Sequence, residues 1–231
     1  MPISPGGALA YRALHFVWIV DTSGSMRGRP IQALNAAIRE ALPVIADAAD
    51  RNAEVRVMMR AIAFGDGARW LSAAPIPVGQ FRWPSIEADG ASDLGAALDL
   101  VAEYCASEAM QSGDLAPTLV LVSDGLPSDD ADAALARLLA TPAGAQAVRI
   151  AIAIGADADR QMLARFIGDV QVHGQPLEPL DADNPEALVA YMKWLSSSVA
   201  EGDRRLSQEI PVATRRPNES GDWVTWSETG A

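Results

Sequence analysis

Short apolar runs alternate with helix-spaced apolar positions along most of the chain. His15–Val20 (HFVWIV) is a continuous apolar run, the pattern of a strand buried on both faces. It stops at Asp21-Thr-Ser-Gly-Ser-Met-Arg-Gly-Arg-Pro30, a loop rich in glycine and hydroxyls. Pro30 suits the first turn of a helix, and apolar positions at helical spacing continue over residues 31–50. Val55–Phe64 predicts a second strand and Arg69–Leu71 a short edge strand. Thr118–Val122, Val148–Ile154 and Pro176–Leu180 predict three more. Ser72–Ser85, with Pro75, Pro77 and Pro84, predicts a loop. Helices are predicted over Leu94–Met110, Asp129–Ala140, Asp159–Ile167 and Pro185–Val199, the last capped by Asn184.

Strand and helix alternate throughout, and no internal repeat is present. The pattern predicts an α/β fold, doubly wound, with a mainly parallel central sheet and helices on both faces. Residues 1–13 read as a lead-in, 14–200 as the domain and 201–231 as an extended tail. The tail has Arg204, Arg205, Pro211, Arg215, Arg216, Pro217 and Gly221 but no sustained periodicity. Two tryptophans are out of place in a fully solvated tail, so Trp223 and Trp226 are expected to pin its end to a surface.

At 231 residues, 49% apolar and 21% charged, the chain can build one ordinary core without a metal or disulfide staple. The net charge of −12 argues against nucleic acid and against an anionic membrane surface as partner. The single cysteine, Cys105, excludes an intrachain disulfide and reads as a small core residue. No apolar run reaches the roughly 18 residues of a membrane span. The N-terminus does not read as a signal peptide, because the run after Arg12 leads into Asp21 without a small-residue cleavage site. A cytoplasmic location is the expectation.

Three polar segments fall at strand ends, where open α/β sheets bind ligands. They are Asp21-x-Ser23-x-Ser25, Gly90-Ala-Ser92-Asp93 and Ser123-Asp124-Gly125. Together they supply two carboxylates, Asp21 and Asp124, and three hydroxyls, Ser23, Ser25 and Ser92. These are hard oxygen donors, which suit Mg²⁺, Mn²⁺ or Ca²⁺ and not zinc or copper. Each segment alone is ordinary turn or cap chemistry; all three in this order point to a metal site.

This constellation resembles the metal-ion-dependent adhesion site (MIDAS) of von Willebrand factor type A (vWA) domains, over roughly residues 12–200. The family's D-x-S-x-S stands as Asp21-Thr22-Ser23-Gly24-Ser25, and its second Asp falls on Asp124. Gly90-Ala91-Ser92-Asp93-Leu94-Gly95 matches the segment that carries the family's threonine, with Ser92 keeping the hydroxyl and losing the methyl. Within the family the chain looks most like the bacterial TerY-like tellurium-resistance subgroup, through DTSGSMRGRPI, GASDLGAAL and LVSDGLPSDD. That likeness implies a cytoplasmic, non-enzymatic signalling adaptor that binds proteins through Mg²⁺ and acts with a protein kinase and a protein phosphatase. The partner would supply an Asp or Glu carboxylate to the metal. The zinc-binding extension of some subgroup members is absent from this sequence, which has one Cys and two distant His, His15 and His173.

Two other classes compete. A metal-dependent hydrolase or phosphotransferase could use the same oxygens, but the sequence shows no general base, phosphate loop or lysine near them. A dinucleotide-binding domain would need G-x-G-x-x-G after the first strand, and it is missing. Ser23 lacks a nucleophile elbow. Asp21 lacks the second acid two residues on that an aspartyl phosphatase uses. His15 and His173 read as non-catalytic, Asp129, Asp130 and Asp132 as a helix cap with an acidic rim, and Trp18, Trp70 and Trp83 as packing. Of these three tryptophans, Trp83 is the best candidate for a partner contact.

Overall fold

The computed structural model describes residues 11–194 except 111–112, 125, 156–157, 173, 183, 185, 192–193. The lead-in, the tail with Trp223 and Trp226, His173 and the end of the predicted last helix lie outside the described residues. Nine strands are assigned among the described residues: β1 (Arg12–Asp21), β2 (Val55–Gly65), β3 (Gly67–Trp70), β4 (Ile76–Pro77), β5 (Thr118–Ser123), β6 (Val148–Ile154), β7 (Gln171–Val172), β8 (Gln175–Pro176) and β9 (Leu180–Ala182). The helices are α1 (Arg29–Asp50), α2 (Leu94–Ala106), α3 (Ala131–Leu139), α4 (Pro142–Gln146) and α5 (Arg160–Ile167). Residues 186–191 and 194 are helical too, with Asn184 Oδ1 accepting the Ala187 N–H at 2.8 Å, as a cap should.

The main sheet runs β3-β2-β1-β5-β6-β9, with β4 also paired to β2. All pairs from β2 to β9 along this order are parallel, and only β3 and β4 run antiparallel. This is the doubly wound α/β architecture that the sequence predicts. The parallel strands stand in the order second-first-third-fourth-fifth. The chain therefore leaves β1 to one side for β2 and returns on the other side for β5. The gap between β1 and β5 is the topological switch point, where loops diverge and leave a crevice.

The apolar runs explain these strands. Phe16, Trp18, Ile19 and Val20 of β1 and Leu119 to Val122 of β5 are fully buried, so alternate residues pack into both helix layers. Helix α1 places Leu34, Ile38, Ala41 and Ile45 on its buried face.

The structure differs from the sequence expectation in places. Residues 72–85 are not all loop: Ile76 and Pro77 pair with Met59 and Met58 on the edge of β2, where a proline is tolerated. Helix α2 stops at Ala106 and not Met110, because Ser107 turns extended and its hydroxyl bonds back to the Tyr104 carbonyl at 2.8 Å. The predicted Pro176–Leu180 strand resolves into two: β8, in a small hairpin with β7, and β9 on the sheet edge. Trp83 packs as the sequence reading expects, being 7% exposed with its indole N–H donating to Asn35 Oδ1 at 2.8 Å.

Candidate metal centre

Strand register brings the first and third predicted segments together. Val20 pairs with Val122, so Asp21 and Ser123 come side by side at the ends of β1 and β5. Asp21 is fully buried, and its carboxylate accepts three hydrogen bonds. Oδ1 accepts the Ser23 N–H at 2.8 Å, and Oδ2 accepts the hydroxyls of Ser92 at 3.2 Å and Ser123 at 2.6 Å. A second chain of contacts leads outward: the Ser23 and Ser25 hydroxyls lie 3.0 Å apart, and Ser25 Oγ donates to Asp124 Oδ1 at 2.8 Å. All five sequence-predicted residues thus meet in one cluster that runs from buried Asp21 to exposed Ser25.

Three loops are clamped to make this meeting. The loop after β1 is held to β2 by the Thr22 N–H and hydroxyl, both on the Phe64 carbonyl. The loop before α2 hangs on it through Asp89 N–H to Thr22 O at 2.7 Å and Gly24 N–H to Gly90 O at 3.0 Å. Ser128 then ties in the loop after β5. Its N–H donates to Ser92 O at 2.8 Å, its Oγ accepts the Ser92 N–H at 3.0 Å, and that hydroxyl donates to Asp93 Oδ1 at 2.7 Å.

Carboxylates outside the cluster hold the loops from behind. Asp93 Oδ2 accepts the Gly67 N–H, and Asp66 Oδ1 accepts the Ala91 N–H, both at 2.7 Å. The Ser128 hydroxyl and then the Gly67 N–H hold the Asp93 carboxyl below its usual range. Asp129 caps α2 through the Gly95 and Ala96 N–H groups at 2.8 and 2.9 Å. The sequence places Asp129 at the start of the next helix; there Asp130 is the cap, accepting the Ala133 N–H at 3.0 Å.

Sequence reasoning missed the hydroxyls of Ser123 and Ser128. Ser123 carries a usable signal: it directly precedes Asp124 and stands at the strand end beside Asp21. Ser128 carries none, because its partners, Ser92 and Asp93, are 35 residues or more away in sequence.

The donor set fits a hard divalent cation. Neither Asp21 nor Asp124 forms an ion pair with Arg, Lys or His among the described residues, whose ion pairs lie elsewhere, as in Arg27–Asp89 and Arg137–Asp99. Burial, opposed by the Ser25 hydrogen bond and reinforced by the charge of Asp21, pushes the Asp124 carboxyl up to about 6. A half-buried carboxyl pushed up by burial, with a second carboxylate beside it and no cationic side chain paired with it among the described residues, marks a place where a cation is stabilising. No group of three or more His, Cys, Asp or Glu side chains is poised for a metal among the described residues, so this site depends on its hydroxyls.

No protein-family model matches the sequence, and no curated protein matches it. Solved structures match the fold. A von Willebrand factor type A protein from Catenulispora acidiphila is 16% identical with a TM-score of 0.58, over 83% of this chain and 43% of that one. The ArnB paralog VWA2 from Sulfolobus acidocaldarius is 17% identical with a TM-score of 0.56, over 80% of this chain and 45% of that one. Proximal thread matrix protein 1 of the mussel byssus, in a structure with a zinc-occupied MIDAS motif, is 17% identical with a TM-score of 0.56, over 83% and 48%. The chain has the vWA fold and spans less than half the length of these neighbours. No helix among the described residues is long and apolar enough to cross a membrane.

Proposed function

We propose that this chain is a non-enzymatic, divalent-cation-dependent protein-binding module. Asp21, Ser23, Ser25, Ser92 and Asp124 would hold the ion, which when bound supplies an electrophilic position for a carboxylate of the partner. The observation that carries this reading is the convergence of those five oxygen-bearing residues, from three distant segments, at the switch point beside β1 and β5.

The chain's own residues divide the work. Ser92 and Ser123 fix the Asp21 carboxylate in one rotamer, and Ser25 does the same for Asp124. Hydroxyl donors add no negative charge, so the two carboxylates balance a divalent cation without over-neutralising it, and a further anionic oxygen can still be accommodated. The chain's net charge of −12 does not forbid an acidic partner, because charge beyond about 8–10 Å is largely screened. Catalysis finds little support: His15 sits at the far end of β1 from Asp21, and the buried Cys105 lies near the end of α2, its thiol pushed up to about 11 by burial. The loop sequences further favour a magnesium-dependent, cytoplasmic adaptor to a protein kinase or phosphatase of the TerY-like kind.

Affinity capture with the purified chain, in magnesium and again in chelator, tests the reading. A protein retained only with metal and lost with Asp124→Ala is the expected result. Phosphoester turnover abolished by Asp21→Ala would replace the adaptor reading with a hydrolase.

A further inference from the structure

A cavity of about 510 Å³ lies far from the metal centre, between α1 and residues 78–83. Leu42, Pro43, Ala46, Val78, Phe81 and Trp83 form its apolar lining, and Arg39 and Arg82 stand at its rim with Asp47. Among the described residues neither arginine is paired with a carboxylate. Arg39 Nη2 donates to Ser85 Oγ, and Arg82 Nη1 donates to the Gly79 and Phe81 carbonyls. In a chain of net charge −12, an apolar hollow whose charged lining of Arg39, Arg82 and Asp47 is net positive is a specific feature. A second cavity, of about 410 Å³ near Cys105, has Asp114 as its charged lining residue, the opposite sign.

From this complementarity we infer that the hollow between α1 and residues 78–83 is the docking site of the chain's own segment 217–231, seated through Trp223 and Trp226. This segment carries Glu219, Asp222 and Glu228 and no basic residue, so its charge matches Arg39 and Arg82 and is repelled by Asp114. Its tryptophans stand three apart and provide the largest apolar side chains available to fill the hollow. An indole N–H needs an acceptor when buried. Pro43, inside α1, has no N–H to donate to the Arg39 carbonyl. Reach is ample. The 29 residue steps from Trp194 to Trp223 reach at most roughly 95 Å, against a radius of gyration of about 16 Å for a domain of this size.

The test uses the full chain in solution, isotope-labelled at nitrogen. A spin label is attached at Asp50→Cys, an exposed site at the end of α1 and outside the hollow; Cys105 is buried and leaves the introduced thiol as the reactive one. Single Trp→Phe variants identify the indole N–H signals of Trp223 and Trp226. Docking predicts that both signals vanish in the paramagnetic state and return in the Arg39→Glu, Arg82→Glu double variant, with the core signals unchanged. Full-strength indole signals beside a broadened 78–83 loop would overturn the inference. So would broadening that persists when spin-labelled chain is mixed with isotope-labelled chain carrying no spin label, since the occupant would then be a second copy.

Discussion

Ser25 Oγ donates to Asp124 Oδ1 at 2.8 Å across 99 residues of sequence, joining the loop after β1 to the loop after β5. This bond is the outermost link of the cluster, and it opposes the burial and the Asp21 charge that push the Asp124 carboxyl up to about 6. Between the unfolded value of 3.8 and about 6, the folded chain holds a proton that the unfolded chain has released. Metal-free stability therefore falls as pH rises through that window, and the penalty is fully present above it.

Asp124→Asn keeps an oxygen for Ser25 and removes the charge. The melting temperature of the metal-free variant at neutral pH is expected to exceed that of the parent, with a flatter dependence on pH. Metal binding moves the other way: the parent binds more tightly as pH rises through about 6, and the variant binds weakly at every pH. Thermal scans and metal titrations over this range check both signs.

Ser92 is 7% exposed, and it contributes one hydroxyl to Asp21. Ser92→Thr retains that oxygen and is expected to titrate metal like the parent. Ser92→Ala loses it and is expected to weaken metal binding about tenfold or more. Equal affinities in all three forms would remove Ser92 from the site.

Gly90 adopts φ 85°, in the region that side chains avoid, and a Cβ there would lie 2.6 Å from the Asp66 carboxyl carbon. Gly90→Ala therefore strains the loop and displaces the carboxylate that holds the Ala91 N–H. The expected cost is about 1–3 kcal/mol in denaturant unfolding, with a loss of metal affinity through Ser92.

Asn35 is a buried side chain that serves the Trp83 indole and both backbone groups of Ile86, at 2.8–3.1 Å. Asn35→Ala leaves those groups without partners and is expected to cost about 2–4 kcal/mol. Metal affinity should change little, since Asn35 does not touch the cluster.

Much of this was legible in the sequence where the signal is local. HFVWIV, TLVLV and VRIAIAI are too apolar to be anything but strands covered on both faces, and their alternation with helices fixes the architecture. The metal-site residues were legible because each lies at a strand end or helix start, where turn chemistry stands out. What escaped depends on distant pairing. Ile76 and Pro77 form a strand only because β2 offers an edge, and Asp129 serves α2 rather than the helix it precedes only because the folded loops bring it there. Trp83, read as packing, is packed as expected, but its partner, the distant Asn35 that takes its N–H, could not be read from the sequence. Helix α4, five residues beginning at Pro142, is shorter than any window in which periodicity can be read.

The central claim is that the Asp21 cluster holds a divalent cation, and the most direct test is calorimetric titration of Mn²⁺ into the parent and into Asp21→Asn. The Asn side chain preserves an acceptor for the Ser23 N–H, and the Ser92 and Ser123 hydroxyls can rotate to accept from its amide. The account predicts one bound ion for the parent, a melting temperature that climbs with metal concentration, and a loss of at least about tenfold in affinity for a variant that remains folded. A folded variant that titrates Mn²⁺ like the parent would contradict it.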